Sequence, residues 1–249
     1  MISLKQKYGR LALVAGASEG IGAAFSHRLA AEGMDLVIIA RRKEPLVQLA
    51  DLLHNKYNII VDCISYDLSD KNAAFYIKEA LNGKEINFMV YNAALSYIGA
   101  FEHNSIEHHN KIAYTNMFTP MNMLHIFGET MLKSGRGAII IMASLAGFQG
   151  NGFLTAYAAT KAFSRVLGES LWYEWKNRGV DVIACCAGAT STPNINTKPE
   201  KKGFFVPRVQ SPDEVVLECM QQIGKKPSII TGRGNRIASF IMQNFLPRK

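Results

Sequence analysis

Four cysteines in 249 residues, none of them in a C-x-x-C pair, leave this chain without a redox motif or a disulfide framework. Cys185 and Cys186 stand side by side in an apolar run and read as reduced core thiols, as suits a cytoplasmic protein. Long hydrophobic stretches are also missing. Nothing approaches the ~20 apolar residues of a membrane span, and the run Leu11–Ala15 behind Lys5, Lys7 and Arg10 is too short for the core of a signal peptide. With no Pro-, Ser- or Gly-rich linker and no repeat, residues 1–249 are expected to form a single domain. Acid is scarce, 20 Asp and Glu against 28 Lys and Arg, for a net charge of +8. Residues 198–249 hold ten of those bases and four acids, and this basic tail reads as a solvated surface rather than a nucleic-acid site. His103, His108 and His109 lie at a helix start with no carboxylate or cysteine arrangement to complete a metal site, and are expected to be exposed.

What the chain does have is regular alternation. At 48% hydrophobic it can bury a large core, and β-branched runs of strand length are separated by longer stretches of helical period. Strands are expected at 11–15, 35–40, 59–65, 88–91, 138–143, 180–185 and 228–231. Helices are expected at about 22–32, then up to about 55, and at 71–81, 106–133, 156–177 and 212–224. Repeated βα alternation predicts an α/β fold, a parallel sheet with helices on both faces. Ligands of such sheets sit at the carboxyl ends of the strands.

Behind the first strand, Gly16, Gly20 and Gly22 frame the turn Ala15-Gly16-Ala17-Ser18-Glu19-Gly20-Ile21-Gly22. Glycine lets the backbone bend and approach a pyrophosphate, and the helix opening there supplies N–H groups and positive potential. The G-x-x-x-G-x-G spacing differs from the G-x-G-x-x-G fingerprint but serves the same purpose. At the end of the second strand, where an acid would hold the ribose hydroxyls of NAD, stand Arg41 and Arg42. Arginine attracts a 2′-phosphate that an acid would repel, so the expected cofactor is NADP(H), with Arg41 the nearer contact. Tyr157 and Lys161, four residues apart on a predicted helix, place phenol and ammonium on one face. A fixed cation pulls a phenol from its usual pKa of about 10 toward the working range, which makes Tyr157 a candidate acid or base.

In this order, the motifs resemble the short-chain dehydrogenase/reductase family, in its single-domain branch. The glycine turn, Asp67, Asn92-Ala93-Ala94, Asn116, Ser144, and Tyr157 with Lys161 follow the family sequence of features. Ser144 lies 28 residues after Asn116 and 13 before Tyr157, as the family pattern requires. The resemblance runs to about Thr231 and implies a Rossmann-type doubly wound parallel sheet of about seven strands flanked by helices. It implies a catalytic group of Ser144, Tyr157, Lys161 and Asn116. Tyr157 would donate or accept the proton, Lys161 would lower its pKa and bond the nicotinamide ribose, Ser144 would hold the substrate oxygen, and Asn116 would hold a relay water. The implied cofactor contacts are Gly16, Ser18, Glu19, Gly20, Ile21, Gly22, Arg41, Arg42, Asp67, Leu68, Asn92, Ala93, Tyr157, Lys161, Gly188, Thr190 and Thr192. Three positions depart from the pattern: Ala15 replaces the usual Thr, Ala94 replaces a Gly and narrows the space near the nicotinamide, and Ala187 replaces a Pro.

Lys7-Tyr8-Gly9, Ala17-Ser18-Glu19-Gly20, Gly33-Met34 and Ala40-Arg41-Arg42 are similar to bacterial NADP-dependent hydroxysteroid dehydrogenases. That implies interconversion of a secondary alcohol and a ketone on a lipophilic, steroid-like substrate. A carrier-bound 3-oxoacyl reductase and an NADP(H)-binding regulatory protein without turnover stand as alternatives; the presence of all four catalytic residues speaks against the second. In the family, the helices carrying Asn116 and Tyr157 often pair across a two-fold axis, so a homodimer or homotetramer is expected. Met117, Met121, Met123 and Met131 read as core or subunit contacts. Residues 194–211 are the expected substrate loop, either closing over an apolar ligand or lying as plain surface. In the terminal extension, 234–249, the stretch from Ile237 to Leu246 is apolar enough to need burial. Capping the pocket or joining a subunit interface is preferred to resting on a membrane surface.

Overall fold

The computed structural model describes residues 3–192 and 208–245. Most of the expected substrate loop, 194–207, and residues 246–249 lie outside the described residues. Among the described residues, β1 (Leu11–Ala15), β2 (Asp35–Ala40), β3 (Val61–Ser65), β4 (Phe88–Tyr91), β5 (Gly137–Ser144), β6 (Val180–Ala187) and β7 (Ser228–Ile230) form one parallel sheet. The strand order is β3-β2-β1-β4-β5-β6-β7. Direction of winding reverses between β1 and β4, which opens a crevice above their carboxyl ends. Ala15 pairs with both Ile39 and Tyr91, so the turns that follow β1, β2 and β4 emerge at one level.

Alternate residues of each strand face opposite layers, and both layers are apolar. On one side Val14, Ile38, Phe88, Ile140 and Ile183 pack with α2 (Gly20–Ala31), α3 (Lys43–Tyr57) and α8 (Pro212–Met220). On the other, Leu13, Val37, Met89, Ile139 and Val182 meet α4 (Ala73–Ala80), α6 (Thr119–Ser134) and α7 (Thr155–Trp175). Helix ends carry the expected chemistry: Ser211 and Glu214 form a capping box at α8, with Pro212 in its first turn. Met123 and Met131 are core, whereas Met117 is half-buried and Met121 exposed.

The structure departs from sequence expectation in four places. The helix expected over 106–133 is broken into α5 (Ile106–Ala113), a π turn over Tyr114–Phe118, and α6. The Thr119 amide donates to the Tyr114 carbonyl five residues back, and Pro120, next in the chain, has no N–H for the Asn116 carbonyl. A short α1 (Leu4–Tyr8) precedes β1, capped by Ser3 and Gln6, with the Tyr8 hydroxyl donating to Asp181 at 2.7 Å. His103 is exposed, but His108 and His109 are half-buried; His109 bonds the Phe101 carbonyl at 3.0 Å and stacks on its ring.

The fourth departure is α9 (Arg233–Phe245). Its inward face is polar: Asn235 and Ser239 are buried, and Asn235 donates to the Thr231 carbonyl at 2.8 Å. Its apolar residues point away from this chain's own fold, with Ile237 53%, Phe240 61% and Phe245 70% exposed. The reason is the polar loop beneath the helix, where a Cβ at Gly188 would lie 2.4 Å from Asn235. No helix among the described residues is long and apolar enough to cross a membrane.

Candidate active site

A cavity of about 350 Å³ lies above the carboxyl ends of β1, β4, β5 and β6, where the winding reverses. Its floor at β1 is the glycine turn. Gly16 and Gly20 adopt φ of 79° and 57°, a region that L side chains avoid. A Cβ on Gly22 would come within 1.9 Å of the Gly16 carbonyl, so Gly22 lets α2 press against the turn and is not itself a cavity wall. Glu19, the residue before α2, makes no side-chain cap bond there. The first N–H groups of α2 therefore face the crevice beside Ser18, Gly20 and Ile21. Asn92 holds the turn from β4, its Nδ2 donating to the Gly16 carbonyl at 2.8 Å.

Ala40 and Arg41 close the β2 side of the cavity. Arg42 does not line it and donates to Glu19, which does, at 2.6 Å. Leu68 lines the wall, while Asp67 folds back to accept from the Ser69 amide at 2.9 Å and does not. Neither Arg42 nor Asp67 lines the cavity, and each side chain is engaged by a neighbour. On the β6 side, Gly188, Thr190 and Thr192 line the cavity. Thr190 is fixed by bridging to Gln210, and the Thr192 methyl stands where a Cβ on Gly20 would lie only 2.9 Å away.

The reacting end is built by β5 and α7. Tyr157 and Ser144 line the cavity together, and Ser144 Oγ accepts from the Ala146 amide at 3.2 Å. Burial pushes the Tyr157 phenol up, and the neighbouring Ser144 hydroxyl pulls it part of the way back. Lys161 lies one turn on, buried, its Nζ donating to the Met142 carbonyl at 2.7 Å and 5.6 Å from the Tyr157 ring centre. Burial lowers the Lys161 ammonium from 10.5 to about 8, against a small upward pull from Cys186 and Cys185. The net shift of Tyr157 is therefore upward, the reverse of the lowering expected from Lys161, because burial dominates and the ammonium donates to Met142.

Asn116 is brought next to this pair without lining the cavity. Both its N–H donors are engaged, by the Leu95 carbonyl and by Thr160 Oγ1, each at 2.9 Å, and its Oδ1 accepts from the Leu95 amide at 2.8 Å. The side chain therefore ties the loop after β4 to α7. Wall residues that sequence reasoning passed over are Leu95, Ser96, Thr115, Met142 and Ala143. The signal for four of them was position, at or just beyond the ends of β4 and β5, whereas Thr115 reaches the cavity from the π turn.

The donor set fits a dinucleotide. A buried ammonium with a single carbonyl partner keeps donors for ribose hydroxyls. A helix N-terminus without a side-chain cap suits a pyrophosphate, and Arg41 supplies charge at the far end.

A family profile described as short chain dehydrogenase matches residues 10–203. The chain is 33% identical over 238 residues to the 7beta-hydroxysteroid dehydrogenase of Mediterraneibacter gnavus, covering 94% of this chain and 90% of that protein. A solved structure reported for 7beta-hydroxysteroid dehydrogenase stereoselectivity superposes with a TM-score of 0.93 at 30% identity, covering 99% and 96% of the two chains. A short-chain dehydrogenase from Sphingobium yanoikuyae in complex with NADPH follows at a TM-score of 0.81 and 27% identity, covering 93% and 90%. With Tyr157, Ser144 and Lys161 assembled above the sheet's switch point, this chain belongs to the short-chain dehydrogenase family.

Proposed function

We propose that this enzyme interconverts a secondary alcohol and a ketone on a lipophilic, steroid-like substrate, using NADP(H). The observation that carries the reading is Tyr157 and Ser144 in one cavity wall with buried Lys161 one turn along the helix from Tyr157. The nicotinamide, when bound, supplies or takes the hydride. Tyr157 gives its proton to the substrate oxygen as a ketone is reduced and recovers it in the reverse direction. Ser144 holds that oxygen in place and stabilises the charge that develops on it. Lys161, a buried cation beside the phenol, favours the phenolate left behind and binds ribose hydroxyls.

Arg41 in the cavity wall supports NADP(H) over NAD(H). The identity to hydroxysteroid dehydrogenases over most of both chains supports a steroid-like substrate. So do the exposed apolar side chains of Ile98, Phe101 and Phe153, on loops that follow β4 and β5 and are joined by a bond from the Gly99 amide to the Phe153 carbonyl at 2.9 Å. A homo-oligomer is the assembly we favour, with Phe118 and Met121 beside Val166 and Tyr173 as exposed apolar residues on the helices that carry Asn116 and Tyr157.

The test is nicotinamide absorbance with NADPH or NADH over a panel of hydroxysteroids, ketosteroids and acyl thioesters. Turnover is expected with NADPH and a ketosteroid. Tyr157→Phe should lower kcat by about 10³-fold or more while leaving NADPH binding intact. Undiminished turnover in that variant would remove Tyr157 as the acid.

A further inference from the structure

Arg41 and Arg42 are neighbours in sequence, yet they face different things. Arg41 lines the cavity, while Arg42 Nη2 donates to Glu19 Oε2 at 2.6 Å. Glu19 is itself in the cavity wall, at the mouth of α2, where the helix N-terminus favours its negative charge. A carboxylate therefore stands in the crevice where a dianionic 2′-phosphate must settle beside Arg41. Like charges in a cleft partly shielded from water repel, and a cation bonded directly to one of them cancels most of that repulsion.

We infer that Arg42 is a charge-compensating residue. It acts on selectivity for NADP(H) by neutralising Glu19, and Arg41 takes the phosphate itself. This inference rests on the NADP(H) reading above. The two arginines then differ in kind. Loss of Arg41 removes an attraction, whereas loss of Arg42 exposes a repulsion that removing the Glu19 charge cures.

The experiment is a double-mutant cycle on equilibrium binding of NADPH and NADH to the substrate-free protein, read by calorimetry or nicotinamide fluorescence. Arg42→Ala should weaken NADPH about tenfold and NADH less than about twofold. Adding Glu19→Gln to Arg42→Ala should bring NADPH back to within about threefold of the starting protein, whereas adding it to Arg41→Ala should not. An exposed ion pair contributes little to stability, so thermal unfolding of Arg42→Ala should stay close to that of the parent.

A double variant as weak as Arg42→Ala alone would overturn the inference and make Arg42 a direct phosphate ligand. An equal loss of NADPH and NADH in Arg42→Ala would overturn it in favour of a structural role. Equal affinity of the unmutated protein for NADPH and NADH, indifferent to Arg41→Ala, would overturn the NADP(H) reading itself. That last outcome is visible before any Arg42 variant is made.

Discussion

At the residue scale, Lys161 is a group that burial penalises and that the chemistry needs. Its lowering from 10.5 to about 8 corresponds to roughly 3 kcal/mol against the folded state. Below pH 8 both folded and unfolded chains carry the proton, so the penalty is fully present. Between about 8 and 10.5 the unfolded chain binds more protons, and stability from this group rises with pH. Lys161→Met should therefore resist urea better than the parent at pH 7, by up to about 3 kcal/mol, with the gain shrinking above pH 8. Its turnover should be lost. The same titration sets a rate profile: kcat/KM for ketone reduction should fall as pH rises through about 8, because the cation beside the phenol disappears. A rate that climbs through pH 8 would contradict the role given to Lys161. The Tyr157–Lys161 pairing was legible in the sequence only together with the glycine turn, Ser144 and Asn116, since the four-residue spacing alone is common on helices. Desolvation was not, since it depends on what Met142, Ser144 and the end of β5 place around the two side chains.

At the element scale, two local interruptions hold the site. The π turn at Tyr114–Phe118 aims Asn116 at Leu95 and Thr160. Pro120→Ala would restore a donor for the Asn116 carbonyl. Unfolding measurements should then show equal or higher stability, by about 1–3 kcal/mol, with kcat at least about tenfold lower as Asn116 rotates out of register. Full activity with a repaired helix would show that the turn is not needed. At the glycine turn, Gly22→Ala sets a Cβ against the Gly16 carbonyl. It should cost about 1–3 kcal/mol in denaturant unfolding and weaken NADPH binding in a titration. Strand and helix periods were readable because burial alternates with known spacing along each element. The π turn hides inside a helical period, and its signal was a single proline. That the apolar side of α9 faces away from its own fold was not legible from composition, because hydrophobic content says that a segment favours cover and not what supplies it.

At the scale of the whole molecule, the exposed apolar side chains on the α6 and α7 faces lead to an expected mass in solution of two or four chains by light scattering, and Val166→Glu should lower it. A monomer in the unmutated protein would remove that assembly. The order and spacing of Asn116, Ser144, Tyr157 and Lys161, the glycine turn and the βα alternation were determined by the sequence alone, because periodicity and motif spacing are local properties carried along the chain. Tertiary structure decided which of two adjacent arginines faces the cofactor cavity and that Asn116 joins a loop to α7. It also decided that Lys161 lies under a desolvated phenol and that α9 turns its apolar side outward. Those outcomes depend on contacts between residues far apart in the chain. Arg42 meets Glu19 across 23 positions and Asn116 meets Thr160 across 44, and only packing of the sheet and its helices sets such distances.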